Sequence, residues 1–173
     1  DNSGASFLIS EYEELYSTAI FDGMGNEQFV DHFVYEKILV VSLTSKGKVR
    51  WANQIPKYQY TTDDGGLYSS FVAVSKEDEL IFLYNDSERN YKNDGGHIAY
   101  EDFQAFKRTD RSVLTLARMN KSDGQFELSP LFSTKAVGVM VKPSVHLNIG
   151  TSRLLLYGDR GRRSRFVEIT LPQ

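Results

Sequence analysis

The chain of 173 residues contains no cysteine. That removes disulfides, thiol nucleophiles and thiolate-held zinc from consideration, and it leaves the redox compartment open. Nor is there a basic surplus: 20 Lys and Arg stand against 23 Asp and Glu, a formal net charge of −3. A protein that neutralises many phosphates needs the opposite balance, so nucleic acid is not an expected partner. No apolar run approaches the roughly 20 residues that span a bilayer as a helix, and no signal peptide is visible. Catalytic signatures are missing too. There is no G-x-S-x-G elbow, and His32, His97 and His146 form neither an H-x-H nor an H-E-x-x-H pairing. No metal site and no cofactor is expected.

What is present is aromatic and strand-like. Ten Tyr and 11 Phe, with only four Pro, favour extended structure over helix. Alternating or continuous apolar patterning predicts strands at 7–17, 30–43 and 49–55. It predicts further strands at 70–75, 80–85, 113–119 and 125–132, then at 145–149, 153–157 and 165–171. Two spacings suggest that one unit recurs. The run Leu80 to Tyr84 is closed by Asp86, and the run Leu154 to Tyr157 is closed by Asp159, 73 positions on; Gly47 and Gly124 end two similar strand-and-turn segments 77 positions apart. Repetition of an antiparallel four-strand unit points to a β-propeller. The expected fold is therefore all-β, a partial β-propeller with strand order bcd-abcd-abc. Its units lie near 1–56, 67–132 and 137–173, in one repeat region that reads as the C-terminal portion of a larger propeller. The open sheet edges make self-association an expectation.

In such meanders the a–b and c–d turns share one end of the sheets, and the b–c and d–a connections share the other. The first group is short. The second, read as 18–29, 56–67, 87–111 and 133–142, is long, and irregular connections on a rigid scaffold are where binding residues concentrate. The stretch from Tyr58 through Tyr60, Asp63, Asp64 and the following Gly pair to Tyr68 is the densest constellation. Tyrosine faces and carboxylates together can hold a sugar or a peptide. The plainer reading is a turn in which Asp and Gly serve backbone geometry, and it is preferred. Asp94 and His97 bracket a second Asp-Gly-Gly segment in the longest connection, again more turn-like than calcium-binding. His97 is the one histidine to test for catalysis. His146 reads as a hydrogen-bonded face or core residue, and the segment from Asp22 to Asn26 as a hairpin tip. Arg160, Arg162, Arg163 and Arg165 form the one basic cluster, able to clamp an anion but more simply a solvated hairpin offset by Glu11, Glu13 and Glu14.

The stretch Lys37 to Leu43, continuing through Gly47 to Trp51 and Ile55-Pro56-Lys57, then Asp63 to Ser70 and Ile81 to Asp86, resembles a group of secreted, propeller-like proteins of unknown function from Bacteroidetes. The resemblance covers roughly residues 1–130. It implies an exported protein, periplasmic or at the cell surface, and supplies no catalytic residues. Two functions remain from the residues themselves. One is a noncatalytic module that binds a glycan, peptide or protein on the b–c and d–a loops through Tyr58, Tyr60, Asp63, Asp64, Tyr68, Asp94, His97 and Arg160. The other is a hydrolase or lyase acting on a glycan with loop carboxylates as acid and base.

Overall fold

Strand-length apolar patterns joined by tight glycine turns can close only as antiparallel meanders. The computed structural model, which describes residues 4–92, 94–107, 111–150 and 152–171, shows three of them. Sheet 1 is β1 (Ser6–Phe21), β2 (Glu27–Leu43) and β3 (Val49–Thr62). Sheet 2 is β4 (Val72–Ser75), β5 (Glu79–Ser87), β6 (Ser112–Asn120) and β7 (Phe126–Ser133). Sheet 3 is β8 (Met140–Ile149), β9 (Arg153–Arg160) and β10 (Arg163–Thr170). The division into three, four and three strands is the one expected. A short α-helix, α1 (Thr134–Val137), joins β7 to β8; Ser133 Oγ caps it by accepting from the Ala136 amide at 3.2 Å. Among the described residues no helix is long and apolar enough to cross a membrane.

The sheets stack face to face with sheet 2 in the middle. Leu80, Phe82 and Tyr84 of β5 pack with Ile38, Val40 and Ile55 of sheet 1. The alternate residues Ile81 and Leu83 pack with Val141, Leu154, Leu156 and Ile169 of sheet 3. Successive side chains of a strand point to opposite faces, so a strand covered on both sides must be apolar at every position. This is why β5 reads as an unbroken hydrophobic run rather than an alternation.

Three expected connections turn out to be partly strand. Residues 18–29 are mostly hairpin: β1 runs on to Phe21, β2 starts at Glu27, and Asp22 closes the tip by accepting from the Met24 and Asn26 amides at 2.9 Å each. The segment read as connection from residue 56 instead continues β3 to Thr62, despite Pro56. A register shift where Ile38 faces Ile55 but Glu36 faces Tyr58 marks a bulge, which accommodates the missing proline N–H. Finally β8 begins at Met140, with its register with β9 interrupted between Val141 and His146 around Pro143.

The β6–β7 turn of sheet 2 is docked on sheet 1. Trp51 Nε1 donates to the Lys121 carbonyl at 3.2 Å, and Asn53 Nδ2 donates to the Gly124 carbonyl at 3.0 Å. Gly124 has φ +74°, and a Cβ built on it would lie 2.6 Å from Trp51 Cε3; Gly47, in the matching turn of sheet 1, has the same φ and open space around it. Gly47→Ala should therefore cost only the backbone strain, about 1 kcal/mol. Gly124→Ala adds displacement of the indole and should cost about 2–4 kcal/mol in urea denaturation; equal losses for the two variants would refute this docking.

Candidate functional site

Along the far half of β3 the usual burial rule is inverted. Lys57, Gln59 and Thr61 are buried, whereas Tyr58 and Tyr60 are half-exposed on the opposite face. Lys57 and Gln59 belong to a polar chain that links all three sheets. The Lys57 ammonium lies 2.5 Å from Glu11 Oε1 and donates to Gln59 Oε1 at 2.9 Å. Gln59 Oε1 also accepts from the Ser70 amide at 2.7 Å, and Gln59 Nε2 donates to the Asn85 carbonyl at 2.8 Å. Asn85 Nδ2 then donates at 2.8 Å to the carbonyls of Tyr68 and of Val141 in sheet 3. Burial pulls the Lys57 ammonium below lysine's ordinary range, and the Glu11 carboxylate is the largest influence opposing that shift.

The three carboxylates among the sequence-derived site residues are engaged with the backbone. Asp63, at φ +51°, accepts from the Asp31 amide at 2.9 Å. Asp64 accepts from the Thr61 hydroxyl at 2.8 Å and the Gly66 amide at 2.9 Å. Asp94 accepts from the Gly96 amide at 2.8 Å. The contacts of Asp64 and Asp94 are local turn contacts of the kind the plainer reading describes; that of Asp63 ties the end of β3 to β2. Asn93, next to Asp94, lies outside the described residues. Among those that are described, no hydrogen bond or ion pair joins Asp63 or Asp64 to Asp94, and no group of three or more His, Asp or Glu side chains gathers to hold a metal ion.

Tyr68 reaches across to sheet 3 and donates to Asp159, which also receives the Lys142 ammonium at 2.6 Å. His97 packs between the rings of Tyr91 and Phe103, both with centroids at 4.7 Å, and its Nε2 stands 3.7 Å from Oδ2 of the fully buried Asp86. Burial first, and then the Asp86 carboxylate, push the Tyr91 phenol above its ordinary range. Asp86 and Asp159, which close the two apolar runs 73 positions apart, thus each face an ionisable partner, His97 and Lys142. The sequence signal for them was present as a spacing and was not read as a site.

Arg160 ends β9 beside an exposed hairpin tip, and Arg165 donates to the Val137 carbonyl at 3.2 Å. The acids named as its offset are engaged within their own sheet or next to it: Glu11 with Lys57 and Ser70, Glu13 with Tyr35, Glu14 with Tyr12. His146 is exposed on β8 and bonded to the Pro143 carbonyl at 2.8 Å.

Of the expected residues, Tyr58 lines a cavity. Its volume is about 610 Å³, and Arg89, Phe103, Gln104, Lys107 and Arg111 contribute to its wall. These residues come from the β5–β6 connection, which folds back so that Phe106 pairs with β3: the Phe106 amide donates to the Tyr58 carbonyl at 2.8 Å, and the Tyr60 amide donates to the Phe106 carbonyl at 3.0 Å. Next to the cavity, Tyr60 continues into a ladder across sheet 1. His32 stacks on Tyr16 with centroids 4.6 Å apart and lies 5.8 Å from Tyr60, whose hydroxyl is 2.7 Å from His32 Nδ1. The Lys107 ammonium, 6.0 Å from the Tyr60 ring, joins ladder to cavity. A larger cleft of about 1010 Å³ lies at the opposite end, between sheets 2 and 3, walled by short turns that include Glu77, Asp78 and Gly150. Its Arg118 is already held by Glu79 in a two-point pair at 2.8 and 3.1 Å, and no aromatic side chain among the described residues lines it.

No family model, curated protein or solved structure matches the chain.

The buried ion pair gives a direct test of the polar chain. Glu11→Gln leaves the fully buried Lys57 ammonium without its counter-charge and should cost about 3–5 kcal/mol, because an uncompensated buried charge is far costlier than the pair. The double substitution Glu11→Leu with Lys57→Met should recover most of that loss in a denaturant double-mutant cycle. Strict additivity of the two sites would show that the pair is not coupled.

Proposed function

We propose that the chain is a noncatalytic binding module built as consecutive blades of a propeller-like stack, with its ligand face at the end that carries the long connections. The blade reading is supported by the face-to-face packing of the three meanders and by the apolar character of the two outermost faces. Leu8 on sheet 1 and Leu147 and Phe166 on sheet 3 are more than half exposed there, in positions that a further sheet or a second copy would cover. The open edges of β1 and β10 suit the same partners. An exported setting rests on the Bacteroidetes resemblance alone.

The observation that carries the function is the cavity beside Tyr58. Its volume falls in the range of small-ligand sites, about 300–1,000 Å³, and it pairs aromatic surface with a few polar groups. The hydrolase or lyase reading draws no comparable support, since Asp63, Asp64 and Asp94 each spend a carboxylate oxygen on a backbone amide. A panel of short neutral and acidic oligosaccharides and of short peptides, followed by thermal shift and by mass analysis of the incubated ligands, tests the proposal. At least one member should stabilise the protein and be recovered intact, and Tyr58→Ala should weaken it roughly tenfold through loss of ring contact. Release of a cleaved product would overturn the noncatalytic reading.

A further inference from the structure

The two outermost faces of the stack resemble the faces already packed inside it. On β1, Phe7 and Ile9 join the core shared with sheet 2, so Leu8, Tyr12, Tyr16 and Ile20 lie on the opposite face; they are 42–58% exposed. On β9, Leu154 and Leu156 face sheet 2, so Leu155 and Tyr157 point away from it. Leu155 is paired with Leu147, and Tyr157 with Phe166, their rings 5.7 Å apart. Leu147 and Phe166 are 61% and 69% exposed. An apolar sheet face is normally buried against another layer.

Sheet 3 of one copy laid on sheet 1 of another repeats the sheet-on-sheet contact found twice within the chain. Such a head-to-tail contact either closes into a ring or grows without end. Propeller rings typically hold about four to eight sheets, and each chain supplies three. One copy falls short of a ring, two fit and three exceed it. A three-strand face eight residues long measures roughly 26 by 14 Å. Two such contacts bury on the order of 1,500 Å² over both partners, within the range of about 1,200–2,000 Å² for stable complexes.

Charge favours the same pairing. Residues 4–36, which carry β1 and the first part of β2, hold seven Asp and Glu and no Lys or Arg, whereas residues 160–165, around the β9–β10 turn, hold four Arg and no acid. Both hairpins are b–c connections, so they point to the same end of the stack, and in the ring they become neighbours of opposite sign. We propose that two copies of the chain close head to tail into a six-sheet ring, the outer face of sheet 3 in each lying on the outer face of sheet 1 in the other. The inference rests on the blade reading above and adds the partner.

Size-exclusion chromatography with light scattering, over a concentration series, tests it. The protein should run at twice the 19.7 kDa mass of the chain. Leu8→Asp and Phe166→Asp should each weaken the dimer at least about tenfold, because each places a carboxylate in both contacts. Arg162→Glu with Arg163→Glu should weaken it by a similar factor, and adding Glu14→Lys with Glu36→Lys to the same chain should restore most of the loss, since like charges again give way to opposite ones. A circular-dichroism melt of each variant separates loss of the dimer from loss of fold. A monomer at every concentration, an open series of larger masses, or dissociation by only one of Leu8→Asp and Phe166→Asp would overturn the ring. Ligand binding by a monomeric protein would do so while leaving the binding module standing.

Discussion

The arrangement of the three sheets depends on two buried amides, Gln59 and Asn85. Apolar packing alone lets one β-sheet slide over another, because the attraction is roughly proportional to area and carries no direction. Hydrogen bonds do have direction. Gln59, on sheet 1, reaches the backbone of both Ser70 and Asn85, and Asn85, on sheet 2, reaches Tyr68 and sheet 3 at Val141. A buried amide that loses such a partner bears its desolvation cost, about 1–3 kcal/mol for each group, so these contacts select one relative placement from the many that burial would tolerate. Lys57 and Glu11 extend the same chain to the edge strand β1. The large connections can then be long and irregular, since the frame from which they hang is set by the polar chain beneath them.

The sequence made the strands legible wherever burial was one-sided or fully two-sided. The continuous run Leu80 to Tyr84 and the tight turns at Gly47 and Gly124 are local signals, and the observed sheets of three, four and three strands follow from them. It was less legible where the inside of a sheet is polar. In β3, Lys57, Gln59 and Thr61 face inward and the tyrosines outward, so periodicity read alone makes this strand look like a loop. Only the partners of Gln59 beyond its own sheet, 11 and 26 positions away in the chain, reveal why a polar side chain belongs there. Likewise the β1–β2 hairpin keeps large apolar residues exposed, Phe21 and Phe29 among them, and no burial pattern marks its strands.

The site was legible in part for the same reason. Tyr58 stood out as an aromatic near irregular structure and does line the cavity. Asp63, Asp64 and Asp94 stood out as carboxylates near glycine, but that neighbourhood is also the signature of an Asx turn: Asp64 and Asp94 accept from turn amides, and Asp63 accepts from the Asp31 amide of β2. The cations Arg89, Lys107 and Arg111 are scattered over a connection that has no pattern of its own. They become a group only because Phe106 pins that connection against β3.

Carboxylate and cation therefore have opposite relations to the backbone at this end of the molecule. A carboxylate is an acceptor, and a turn rich in glycine presents unsatisfied N–H donors close at hand, so acidic side chains in these loops are consumed by local structure. Arginine and lysine are donors only. The carbonyls they might otherwise engage are here largely committed to strand pairing, as those of Tyr58 and Phe106 are to each other's neighbouring amides. Acids that shape the turns follow from that hydrogen-bond balance.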